Sequence, residues 1–137
     1  MTAMLPFLLA AFLQSSPSPL VTVARDLMSG IEEPREAVAR LPEEWKKLWR
    51  EHAGDKPAPP VDFNTRTVIA VFLGTRPTAG FSVEIIATRA EGTGLVVQWS
   101  EKRPDRDMVS AQVLTSPAHI VTVPKVAGPI RFEKAGQ

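Results

Sequence analysis

Val68-Ile69-Ala70-Val71-Phe72-Leu73 leads into Gly74-Thr75-Arg76-Pro77-Thr78-Ala79-Gly80, and Phe81-Ser82-Val83-Glu84-Ile85-Ile86 follows. The first run is apolar at every position, as expected of a central strand buried on both faces. The third alternates, with Phe81, Val83 and Ile85 opposite Ser82 and Glu84, the period of a half-buried strand. The glycine-bounded link must turn the chain. Gly74 and Gly80 can take positive φ, Pro77 cannot donate to a sheet, and Thr75 and Thr78 can bond local backbone. At seven residues the link exceeds a two-residue hairpin turn and is expected to project from the sheet. Three readings stay open: a structured hairpin connection, a contact surface, or an anion site built from backbone N–H groups and Arg76.

Further short strands surround this unit. Leu20–Ala24 alternates Val21 and Val23 with Thr22. Arg35–Arg40 reads as a strand or as the entry to a helix. Downstream, Leu95, Val97 and Trp99 alternate with Gln98 and Ser100. Ala111–Leu114, His119–Val123 and Ile130 with Phe132 complete the set. Turn signals fall between them at Glu91–Gly94, Thr115–Pro117 and Lys125–Pro129.

The single clear helix is Pro42–Ala53. Trp45, Leu48, Trp49 and His52 fall at i, i+3, i+4 and i+7 on one face. Pro42 suits the first turn, Glu43 and Glu44 suit the positive end of the dipole, and Gly54 suits the C-terminal cap. Two tryptophans one turn apart should dock on a sheet face. The expected fold is therefore α+β: mainly an antiparallel β sheet, or a partly closed barrel, packed against one amphipathic helix.

Composition limits the functions. The chain has 137 residues, 16 basic and 15 acidic, for a net charge of +1. That balance gives no reason to expect nucleic acid as a partner. With no cysteine, disulfides, thiolate metal sites and cysteine nucleophiles are excluded. Residues 1–19 combine an apolar block, Met1 to Leu13, with Gln14-Ser15-Ser16-Pro17-Ser18-Pro19. They read as a secretory signal and short linker, against a packed helix or an interfacial anchor. The apolar block is too short to span a bilayer as a helix.

No catalytic set stands out. The nominal hydrolase residues are Ser116, His119 and an acid, Glu101 or Asp62, without a Gly-x-Ser-x-Gly elbow. His52 and His119, the only histidines, have no ligand spacing. Asp105 and Asp107 lack the rest of a calcium loop. No enzyme activity, cofactor or metal is expected.

Two segments carry a family resemblance. Gly74-Thr75-Arg76-Pro77-Thr78-Ala79-Gly80-Phe81-Ser82-Val83-Glu84-Ile85 and Thr115-Ser116-Pro117-Ala118-His119-Ile120-Val121 resemble the PrcB family of protease-complex accessory proteins. Glu44-Trp45-x-x-Leu48-Trp49 and Asp62-Phe63 resemble the segment preceding that family's C-terminal domain. Ala79 stands where a glycine is common, Phe81 where a tyrosine is common, and Ala118 where an aromatic is common. The resemblance implies that residues 20–137 form one PrcB-like domain. It also implies a non-enzymatic, exported, periplasmic or extracellular protein that associates with or stabilises a protease. Thr75, Arg76, Pro77, Thr78 and Phe81 are the expected partner-binding residues. The alternative is a small-ligand or glycan binder using Trp45, Trp49 or Trp99.

Overall fold

The computed structural model describes residues 20–107 and 109–136; the secretory-signal reading of 1–19 lies outside them. The order is β1 (Val21–Asp26), β2 (Arg35–Ala39), α1 (Pro42–Ala53), β3 (Arg66–Phe72), β4 (Ser82–Glu91), β5 (Gly94–Lys102), β6 (Ala118–Pro124) and β7 (Ile130–Lys134). Arg35–Arg40 thus resolves as a strand. Ala111–Leu114, expected as a strand, lies outside the named strands and is exposed.

The strands form two sheets. One is antiparallel with order β1-β6-β3-β2; the other has order β4-β5-β7, in which β5 and β7 run parallel. The α+β expectation holds, but the sheets do not close into a barrel. The glycine-bounded link also differs from the hairpin reading. β3 and β4 belong to different sheets, so 74–80 is a crossover between layers. The physical reason lies in β3, which is apolar on both faces and takes β2 and β6 as its edge neighbours. β4 must then cross to the adjacent layer and pair with β5.

β3 supplies both cores. Val68, Ala70 and Phe72 face α1, where Trp45, Leu48, Trp49, Ile31 and Ile120 close one core. Ile69 and Val71 face the second sheet, where Val83, Ile85, Val97, Val121 and Val123 close the other. The helix face predicted from its period is the buried face: Trp45, Leu48, Trp49 and His52 all point inward. The indole N–H groups of Trp45 and Trp49 donate to the carbonyls of Pro59 and Lys56, at 3.0 and 2.9 Å. The proline-rich link after α1 therefore satisfies the polar tips of its tryptophans, as burial of an indole requires.

Candidate functional site

The crossover is held along its length instead of projecting freely. Arg76 and Thr115 exchange two backbone hydrogen bonds, at 2.7 and 3.0 Å. Thr75 N–H donates to Glu32 O, and Ala79 N–H donates to Ala111 O, both at 3.1 Å. The Thr115 hydroxyl donates to Thr78 O at 3.1 Å. Gly74 has φ of +82° with Pro34 against its Cα, and Gly80 has φ of +99° beside Pro104. A Cβ at Gly74 would meet the Pro34 nitrogen at 2.7 Å, so both conformation and space demand glycine there. Thr75 and Pro77 stay exposed; Arg76, Thr78 and Phe81 are half-buried.

On its far side, the 115–116 segment meets the end of β1. Ser116 N–H donates to Leu27 O at 2.8 Å, and Ser29 N–H donates to Ser116 O at 2.9 Å. The two motifs are thus adjacent, and 27–29 continues the same surface. Beside them, Leu27, Met28, Val113 and Leu114 are exposed large hydrophobic side chains.

Arg76 reaches inward. Its Nε donates to Glu101 Oε2 at 2.9 Å, and Lys134 Nζ donates to Glu101 Oε1 at 3.2 Å. The Glu101 side chain is only 2% exposed. Burial alone would raise its pKa, and the hydrogen bonds and charges of Arg76 and Lys134 outweigh that to hold it below the ordinary value. The guanidinium also lies 5.8 Å from the Phe81 ring centroid. Sequence reading gave Arg76 as a candidate anion-binding or partner-binding residue of a projecting loop; its side chain is the counter-ion of a buried acid.

Above this pair lies a cavity of about 340 Å³ whose lining includes Val71, Leu73, Arg35, Arg76, Trp99 and Lys134. Trp99 Nε1 donates to Glu36 at 3.1 Å, and Lys134 Nζ stands 5.4 Å from the indole centroid.

Residues 67–124 match the family described as PrcB C-terminal. This segment is similar to the PrcB C-terminal family. It contains both motifs, the crossover and the buried acid Glu101, so the PrcB resemblance drawn from the two motifs is borne out. No curated protein and no solved structure matches the chain.

The nominal hydrolase set does not assemble within or beside the matched segment. His119 is 1% exposed and its two ring nitrogens are occupied. Ile85 N–H donates to Nδ1 at 2.9 Å, so the proton sits on Nε2, which donates to the Thr22 hydroxyl at 2.9 Å. Burial pushes its pKa down to about 4, aided by Arg25 and opposed by Glu84. Ser116 and Asp62 take part in turns and strand ends.

A serine, a histidine and an aspartate do line up elsewhere, outside the PrcB match. The Ser29 hydroxyl lies 2.7 Å from His52 Nδ1, and His52 Nε2 lies 2.8 Å from Asp26 Oδ2. Their exposure is the reverse of a catalytic triad. Ser29 is buried and accepts the Ile31 N–H at 3.0 Å, while Asp26 is 49% exposed. A nucleophile must meet substrate, and the base must be oriented from behind; here the acid faces outward and the hydroxyl faces the protein. The arrangement ties the end of β1 to the end of α1. Sequence reading missed it because His52 lies on α1, 23 and 26 residues from Ser29 and Asp26. Among the described residues no three His, Asp or Glu side chains gather to hold a metal.

Proposed function

We propose that the chain is a non-enzymatic, exported accessory module that docks onto a protease. It docks through the surface shared by the 74–80 crossover, the 113–116 segment and the end of β1. The carrying observation is the direct backbone pairing of Arg76 with Thr115. It joins the two motifs that resemble PrcB beside exposed Leu27, Met28, Val113 and Leu114. A cluster of large apolar side chains in water is characteristic of interaction surfaces. The match to the PrcB family supports a protease-accessory role, and the apolar block before Gln14 supports export. Thr75 and Pro77 are accessible for contact; Arg76 acts by holding the crossover in place.

The test is affinity capture from the native secreted fraction by the parent chain and by Met28→Glu and Leu114→Glu, with mass spectrometry. A protease enriched by the parent and lost with either variant supports the reading. Absence of any protease, or equal capture by all three proteins, overturns it. Both substitutions are at exposed positions, so unfolding free energies should stay within the range of ordinary surface changes, about 0.5 kcal/mol.

The cavity at Trp99 favours a second reading, a small-ligand or glycan site. Trp45 and Trp49 are committed to the core, so this reading rests on Trp99 alone. It predicts tryptophan fluorescence quenching by a glycan panel that disappears in Trp99→Phe; a flat response removes it.

A further inference from the structure

His119 stands where the two sheets meet, and two β-bulges converge on it. β1 shifts register between Thr22 and Ala24, and β4 shifts between Ile85 and Ala87. A bulge re-aims the groups beside it. The two residues so re-aimed, Thr22 and Ile85, are the two that hydrogen-bond the imidazole. β4 is an edge strand of its sheet, and its Ile85 N–H is directed at the β6 histidine.

We propose that His119 is an acid-released latch between the sheets: a proton on its Nδ1 removes the bond to Ile85 and frees the outer edge of β4. The chemistry is local. Nδ1 accepts from a backbone N–H in the neutral ring, and once protonated it becomes a second donor facing that N–H at 2.9 Å. The ring has no second acceptor to offer.

The surroundings make the protonated state costly while the latch is closed. β1 presents Arg25, paired in register with His119, and β4 presents Glu84, which lies 3.6 Å from Arg25. That acid is thereby partly neutralised as a counter-ion for an imidazolium. β3 presents Val71 as the register partner of His119, and the neighbours along β6 on that face are Val121 and Val123. Opening returns the ring to water, where protonation carries no such penalty, so acid drives the opening.

The experiment is amide hydrogen exchange on the full chain from about pH 7.5 to about pH 3.5, together with ¹⁵N NMR of the imidazole. Proton linkage predicts a loss of Ile85 protection on the order of a hundredfold across that range. Ile69 and Ile120 should remain protected at the acid end, and the Ile85 amide and His119 ring should titrate with one midpoint. His119→Gln, which keeps an acceptor but cannot become charged, should hold Ile85 protection constant. If that variant does not fold, the shared midpoint in the parent chain decides. Unchanged Ile85 protection while His119 protonates overturns the latch. So does loss of Ile85, Ile69 and Ile120 protection in a single step, which would be global unfolding.

Discussion

The two cores on either side of the four-stranded sheet are built from the same strands but closed by different means. On one face, a helix brings two tryptophans and a leucine over Val68, Ala70 and Phe72. On the other, a second sheet lays valines and isoleucines over Ile69 and Val71. The helix-side core concentrates its burial in a few large rings, with Trp45 and Trp49 centroids 5.4 Å apart. The sheet-side core spreads it over β-branched residues and sets a titratable residue, His119, at its seam. Each core also encloses a histidine. His52 is tied into a relay with a serine and a half-exposed acid, whereas His119 is held by a backbone N–H and a hydroxyl. Concentrated burial makes a region sensitive to single residues. A polar seam makes it sensitive to protons.

The comparison breaks first at Trp45. Trp45→Ala should cost about 3–5 kcal/mol in denaturant unfolding, the range for deleting a large buried aromatic. A loss under about 1 kcal/mol would mean that the helix is not what seals that face.

The sheet-side core should be distinguished by pH. His119 has a folded pKa of about 4 against 6.5 for the free side chain, so between those values the unfolded chain binds more protons. Its contribution is whole above pH 6.5 and is lost as pH falls towards 4. A shift of that size corresponds to about 3 kcal/mol. The parent's unfolding free energy should fall accordingly, and that of His119→Gln should stay flatter over the same window. Equal slopes for the two would remove the contrast between the cores.

Arg76→Ala should cost about 2 kcal/mol, because it removes a charge-assisted hydrogen bond to buried Glu101 and leaves Lys134 as its remaining ion-pair partner. Adding Glu101→Gln should recover part of that loss in a double-mutant cycle. Strict additivity would show that the pair is not coupled. The smallest expected effect is at the relay. Ser29→Ala removes a buried hydroxyl that serves both His52 and the Ile31 N–H, and should cost about 1 kcal/mol. Thermal melts of the parent and Ser29→Ala check it.

The helix-side core was legible because its information is local. The Trp45-Leu48-Trp49-His52 face is a periodicity within one segment, and Pro42 and Gly54 mark its ends. The strands were legible for the same reason, apart from Ala111–Leu114, whose short apolar run found no sheet partner. The partition into two sheets was hidden because pairing is non-local. Nothing near Leu95–Trp99 announces that Ile130–Lys134 will lie parallel to it. Of the candidate surface, its glycines and both motif segments could be read in the sequence, and their adjacency could not. The pairing of Arg76 was hidden because Glu101 lies 25 residues away on another strand. The relay of Asp26, Ser29 and His52 needed the end of β1 to be placed against the end of α1 before it could be seen.

The position of β6 has a consequence for how the chain reaches this state. β6 lies between β1 and β3, yet the chain builds β4 and β5 in the other layer before it arrives. Until residues 118–124 insert, Thr67–Phe72 presents an apolar strand with an unpaired edge. Such a strand is a template for pairing with other chains, and long-range insertion of this kind slows folding. The interval before β6 docks is therefore when a nascent molecule is most exposed to coaggregation, and when a holding chaperone would protect its yield most.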